Sequence, residues 1–454
     1  MPRDSAAAHP RSSGVRVLAC WFVLVIVAAG CSQEERASPS AQPPDPLLGV
    51  VWVEDEGGYV TKLDPQSLKP RSGPRVPLGS ASGPWAFSPD GSQVAFGGDK
   101  AVRIIDLKGK RVAADLPKRG VVGTIAWPEP RRLLVATGFN WERGVDALVL
   151  DPLAARLVSR QALGGSLMDW ARTPEGLLLL VGPSSGIGPA RLVVFSAREG
   201  IRVLPLARVL AGFESEELER GFSVDHFRTP GLAFAPGPTA GLPRASGEGR
   251  AFIVWAADEV AEVDLASLRV TYHELDKKTS LLGRLRDWLE PAAEAKGAED
   301  GSLRRALWLG NGLLAVYGFD DHAFFKGGSQ NQATTPAGLR LVDTRSWSWR
   351  MLERRATAAT LAGTTLLAYG SFYSSETGVF EGMGVSVYTL DGEERFHHFE
   401  AEPIWLVETA GSYAYVRFDN SCAGALVELR SGRHLRNLEA GPDCNWPSLL
   451  VPEG

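Results

Sequence analysis

The apolar run near the start of the chain, VLACWFVLVIVAAG from Val17 to Gly30, stops at 14 residues, short of the roughly 20 that a membrane-spanning helix needs. Cysteine is scarce, at 4 in 454 residues. Basic clusters are missing too. The formal net charge is −5, and no run of lysine and arginine is dense enough to give the positive footprint of a nucleic-acid-binding surface. The sequence also holds no GxSxG elbow, no HExxH pair, no phosphate-binding loop and no EF-hand spacing, so the common signatures of serine hydrolases, zinc peptidases, NTPases and calcium switches are absent.

What the chain has in quantity is turn chemistry: 50 glycines and 30 prolines in a composition that is 44% hydrophobic and 22% charged. The stretch from Trp85 to Val112, WAFSPDGSQVAFGGDKAVRIIDLKGKRV, shows what the turns separate. A short apolar strand precedes Pro89-Asp90-Gly91, a second strand runs from Gln93 to Phe96, and Val102 to Leu107 alternates Val, Ile and Leu with polar residues. A fourth strand follows Lys108-Gly109-Lys110. The end of the third strand recurs along the chain, at Asp64, Asp106, Asp151, Ser196, Asp264, Asp343, Asp391 and Arg430, with spacings of 42, 45, 45, 68, 79, 48 and 39 residues. A short acceptor side chain there can bond backbone N–H groups two residues on and close the hairpin, so these are turn residues and not catalytic acids.

A second regularity concerns tryptophan. Trp85, Trp127, Trp170, Trp308 and Trp405 lie on the short first strands, at distances of 6, 4, 6, 4 and 6 residues from Gly91, Arg131, Gly176, Gly312 and Gly411. All are even, which places the indoles on one strand face, packed between one sheet and the next. The first repeat lacks its inner strand, and the last is followed by WPSLLVPEG. Ser448 to Val451 is therefore expected to complete the first sheet and leave no free edge.

With these repeats the chain resembles the WD-repeat-like and Tol-system-like β-propellers, although the Trp-Asp signature of true WD repeats is absent. The resemblance implies an all-β propeller of eight four-stranded blades, or seven if the region from Ile201 to Asp264 is miscounted, over residues 47–454. Short helical insertions are expected at about 207–230 and 277–300, since Thr279 to Lys296 puts Leu281, Leu282, Leu285, Trp288 and Leu289 on one helical face. In a propeller the second-to-third-strand loops and the blade-to-blade crossings share one face, here called the crossing face. The longer loops fall there: Gly138 to Gly144, Gly182 to Pro189, Gly318 to Gly338 and Gly370 to Gly384. They carry the candidate binding residues Trp141, Asp320, Asp321, His322, Phe324, Phe325, Phe372, Tyr373 and Phe380. Exposed aromatics among acidic groups suit recognition of a protein or glycan. His397-His398 lies on an outer strand, where adjacent side chains point to opposite faces, so no metal site is expected.

The N-terminus carries a second resemblance. Arginines precede the apolar run, and Ala28-Ala29-Gly30-Cys31 is similar to the bacterial lipoprotein signal, with Ala28 where leucine is usual. It implies a leader over residues 1–30, acylation of Cys31, and attachment to membrane lipid. Ser32 is not the aspartate associated with inner-membrane retention, so the outer membrane of a bacterial cell envelope is implied. Residues 31–46, Pro-rich after the cysteine, read as a tether. Loss of the leader removes three arginines and one aspartate and leaves 45 basic against 52 acidic residues, a net charge of −7. Of the two remaining cysteines, Cys422 falls in a second-to-third-strand loop and Cys444 before the closing strand, both on the crossing face. They are expected to pair in an oxidising envelope; two free thiols or a shared metal are the alternatives. The function expected is a non-enzymatic binding or assembly platform needing no cofactor. The alternative is a propeller enzyme, a lactonase, glycan hydrolase or quinone-cofactor dehydrogenase, which would gather carboxylates or histidines around the central channel, where the positions read here as mostly apolar.

Overall fold

The computed structural model describes residues 47–451 except 54–56, 80–82, 99, 119, 139–143, 219–221, 238–248, 278–300, 327–328, 375–377, 420 and 442–443. Cys31, Trp141 and the expected helix at 279–296 lie outside the described residues. The described residues form a β-propeller, with no α-helix among them.

Each sheet grows outward in sequence order. Trp85–Phe87, Gln93–Gly97, Ala101–Asp106 and Arg111–Pro117 pair antiparallel as neighbours. The fold stacks such sheets face to face, and apolar side chains from both fill each gap. Ala95, Val102 and Ile104 of this sheet meet Ile125, Trp127, Leu133 and Leu150 of the next. Every one of those side chains is nearly or fully buried, and burying one branched aliphatic side chain contributes about 1.5–3 kcal/mol. Trp85, Trp127, Trp170 and Trp308 pack into such gaps as their spacing requires.

The number of blades differs from expectation. Six four-stranded blades stand as separate sheets, not eight or seven, and the remaining strands merge into one eleven-stranded sheet. The cause is the strand Gly200–Leu218, whose 19 residues run well past its blade. Its far half forms a hairpin with Phe222–Thr229, and that strand pairs in parallel with the start of Gly301–Gly310. The insertion read as helical at about 207–230 is strand over its described residues 207–218 and 222–229: Gly186 to Pro189 pairs on one side of the first and Phe222–Thr229 on the other, and sheet pairing overrides a local helical spacing. Gly318 to Gly338 is likewise a hairpin, Leu313–Lys326 against Ser329–Pro336, and not an open loop.

The ring is closed by the chain's own end. Ser448–Leu449 pairs with Leu47–Val53, Gly49 opposite Leu449 and Val50 opposite Ser448, and the Leu450 N–H donates to the Leu48 carbonyl at 2.9 Å. Apolar side chains of the last sheet, Tyr413, Tyr415 and Leu426, pack on Leu47, Leu63 and Leu449 of the first.

The outer turns explain the repeated marker. Asp106 Oδ1 accepts from the Lys108 and Gly109 amides at 2.9 Å each, and Asp151 Oδ1 does the same for Leu153 and Ala154 at 3.0 and 3.1 Å. Ser196 takes that place for Arg198 and Glu199. Four residues after the marker the backbone turns left-handed, at Leu68, Lys110, Ala155, Leu268 and Trp347, with Gly200 and Gly432 in the same role elsewhere. At the last two markers the pattern shifts by two residues: Thr389 rather than Asp391 accepts from Glu393, and Glu428 rather than Arg430 is bonded by Ser431.

The inner turns bring a pH dependence. Hydrogen bonds from the Ser88 and Ser92 hydroxyls and the Ser92 amide hold Asp90 down at about 2. A folded pKa below the unfolded value means stability present above about pH 4 and lost as pH falls toward 2. Asp90→Asn should flatten the fall in melting temperature between pH 4 and 2 relative to the parent; parallel curves would contradict this.

Candidate functional site

The first strand of a propeller blade pairs on one side only, so its other edge presents unpaired backbone groups to the channel. Here charged side chains meet that need. Arg172, on Ser166–Thr173, donates to the carbonyls of Ile125 at 2.9 Å and of Trp85, reaching the inner strands of two other blades, and its guanidinium lies 5.3 Å from the Trp170 ring centroid. Asp169 on the same strand accepts the Leu232 amide at 2.7 Å and pairs with Arg305 at 3.2 Å, while Arg305 also reaches the Met168 carbonyl. Burial pushes the Asp169 carboxyl upward, opposed by Arg305 and the amide bond. The inner strands of Asp169, Leu232 and Arg305 are thus tied together, and Gly231 lets two of them touch, since a Cβ there would overlap Arg305 Cα.

At the ring closure the same device is repeated. Glu408 Oε1 accepts the Leu449 amide at 3.0 Å, and its other oxygen pairs with Arg417, which also donates to the Pro447 carbonyl at 2.6 Å. Desolvation pushes the Arg417 guanidinium down to about 10. Asp169, Arg172, Arg305 and Glu408 are charged exceptions on inner strands that are otherwise mostly apolar. Their signal was present in the sequence, as MDWAR, RRALW and WLVE, where charges interrupt the strands that carry the tryptophans.

The crossing face offers a different surface. Thr365–Tyr373 and Phe380–Thr389 extend beyond their blade as a hairpin in which Tyr373 stands opposite Phe380, ring centroids 5.6 Å apart and edge-on. Arg355 lies 5.7 Å over the Phe372 ring and donates to the Gly382 carbonyl. Gly382 is glycine because the next crossing lies directly on it: a Cβ would overlap the Glu402 carbonyl. That crossing, Phe399 to Pro403, is fixed further by the Asp419 amide on the Pro403 carbonyl at 2.8 Å, and Asp419 accepts the Ser371 hydroxyl at 2.6 Å. It leads straight to Trp405. The register slips between Ile404 and Leu406, and this bulge turns the indole outward, 58% exposed, instead of into the gap where its even spacing placed it. Val379 at 56% and Phe380 at 47% are also exposed, on the neighbouring blade. Glu400 and Glu402 are exposed on the crossing itself.

The remaining sequence candidates are dispersed. Asp320 is bound by Arg304, itself almost completely buried, and Asp321 accepts the Thr334 hydroxyl at 2.7 Å, so both hold the hairpin together. His322 is half-buried. Phe324 and Phe325 follow on the same strand, and their side chains lie outside the described ones. Among the described residues no group of three His, Cys, Asp or Glu side chains is placed to hold a metal ion. His397 bonds Ser386 and His398 the Gly432 carbonyl, in opposite directions. Cys422 and Cys444 form a disulfide, Cα atoms 4.8 Å apart. Among the described residues no helix is long and apolar enough to cross a membrane.

No protein-family model and no curated protein matches this sequence. Solved structures with a similar arrangement include the dihydro-heme d1 dehydrogenase NirN in complex with DHE, at 16% identity and TM-score 0.48, covering 88% of this chain and 74% of that one. BamB from Moraxella catarrhalis gives 11% identity and TM-score 0.42, covering 83% and 95%. The Dos1 propeller gives 12% and 0.42, covering 79% and 83%. The likeness is one of fold.

Proposed function

We propose that this chain is a lipid-anchored binding platform of the bacterial cell envelope, held to the outer membrane through acylated Cys31 and engaging a protein partner through its crossing face. The observation that carries the reading is the exposure of Val379, Phe380 and Trp405 on two neighbouring blades, with Tyr373 packed edge-on against Phe380. Large apolar groups gathered at one place on a soluble surface mark an interaction site. The channel supports the same reading, because Arg172, Asp169 and Arg305 are engaged in joining inner strands.

The test is crosslinking in intact envelopes. Phe380→Ala with Tyr373→Ala should reduce capture of at least one partner by about tenfold or more, the size expected when an interface anchor is removed. Cys31→Ala should move the protein from the membrane to the soluble fraction. An unchanged crosslinking profile would sink the platform reading, and an unchanged fractionation would sink the anchor.

A further inference from the structure

In the first three blades the face opposite the crossings, made by the first-to-second and third-to-fourth turns, is positive, although the chain is acidic overall. Lys62, Lys69, Lys108, Lys110, Arg131 and Arg156 are exposed on or beside those turns, and none of the six forms an ion pair among the described residues. The acids of the same turns are spent. Asp64 pairs with Arg71 at 3.2 Å and Glu129 with Arg198 at 2.8 Å, Asp106 accepts turn amides beside Arg111, and Asp151 is buried against the amides of its own turn. Asp90, bonded by serines, is the exposed acid that remains. The cations converge across blades, since Lys62 and Lys110 line one cavity with Leu48, Pro74 and Ile105 between the first blade and the second.

The chain that leads back to Cys31 enters on the same side. Leu47 stands opposite Leu63, one residue before Asp64, so the strand begins at the positive face. The 16 residues from Cys31 to Pro46, as a flexible chain, span about 20 Å on average. An anchored body therefore rests with this face nearest the lipid, where basic groups are drawn to anionic headgroups within a Debye length of roughly 8–10 Å. We infer that this face binds an anionic lipid surface, with Lys62, Lys69, Lys108 and Lys110 meeting phosphate headgroups, and so turns the crossing face away from the membrane and toward partners. The inference rests on the anchor proposed above and adds the orientation of the body.

The test uses the full mature chain without acyl groups. It is mixed with phosphatidylcholine vesicles, with the same vesicles containing phosphatidylglycerol, and with a fluorescein-labelled DNA duplex, and binding is read by co-sedimentation and by anisotropy. The chain should bind the phosphatidylglycerol vesicles and neither of the others. Affinity should fall by about tenfold or more in Lys62→Gln/Lys110→Gln, as expected when two cations near a lipid surface are lost, and it should fall again as salt is raised. Lys100→Glu changes the net charge by the same amount on the crossing face, where Lys100 is exposed, and should leave binding unchanged. No binding to anionic vesicles, equal binding to neutral ones, DNA bound as tightly, or an effect of Lys100→Glu as large as that of the lysine pair overturns the inference. Fractionation of Cys31→Ala reports on the anchor separately: a chain that needs Cys31 for membrane attachment but ignores anionic vesicles overturns the orientation alone.

Discussion

Arg417→Ala is expected to be the most damaging single substitution on the described surface of the ring closure, destabilising the chain by about 3–5 kcal/mol, the usual loss when one partner of a buried ion pair is removed. Arg417 is 2% exposed and does three things at once. It neutralises Glu408, donates to the Pro447 carbonyl, and lies 6.0 and 5.6 Å from the ring centroids of Trp405 and Trp446. Without it a carboxylate remains unpaired in a poorly solvated place and the Pro447 carbonyl, just before the closing strand, loses its donor. The paired replacement Arg417→Met with Glu408→Gln removes both charges and leaves an acceptor for the Leu449 amide, so it should cost markedly less. Urea unfolding and limited proteolysis of the C-terminal strand check both. A parent-like midpoint in Arg417→Ala would show that the ion pair does not hold the ring.

How far the sequence reveals this arrangement depends on whether each feature is local. The marker at Asp106, Asp151 and Ser196 is legible because its cause lies within four residues: a side-chain oxygen closes a turn on the amides that follow. Closure by Ser448–Leu449 follows from counting strands at the two ends. The merging of sheets has no such cue, because Phe222–Thr229 finds Gly301–Gly310 across a long gap in sequence, and in parallel. The charges at Asp169 and Arg305 are visible as interruptions of the tryptophan strands, but their partners are not, for the same reason: each bonds a backbone group on another blade.

The candidate surface divides along the same line. Phe372, Tyr373 and Phe380 could be placed on the crossing face because topology fixes which loops share it. Asp320 and Asp321 lie on the same hairpin, but the buried Arg304 claims the first and the Thr334 hydroxyl the second, so both are structural acceptors. Trp405 leaves the gap because the bulge falls at its own position, while Ile404 and Val407 on either side stay buried there, and nothing in Ile404-Trp405-Leu406 announces it.

The disulfide gives the second large effect. Cys422 and Cys444 are separated by 22 residues, and constraining a loop of that size stabilises by about 3 kcal/mol in the chain-entropy account. Its position makes the effect more than a general one. Cys422 precedes Ala423–Glu428 of the last sheet, and Cys444 stands just before Trp446 and the closing strand, so the bond spans the seam at which chain ends complete the ring. Cys422→Ser with Cys444→Ser should lower the unfolding free energy by that amount and expose the C-terminal strand to proteases first. Reduction of the parent with a phosphine should reproduce the change, and reduction of the variant should do nothing. Arg417 and the disulfide both secure Ser448–Leu449, so their losses should not add: once either is gone, the strand detaches more easily and the second substitution has less left to remove. Strict additivity in the double variant would mean that the bond and the ion pair stabilise separate parts of the fold.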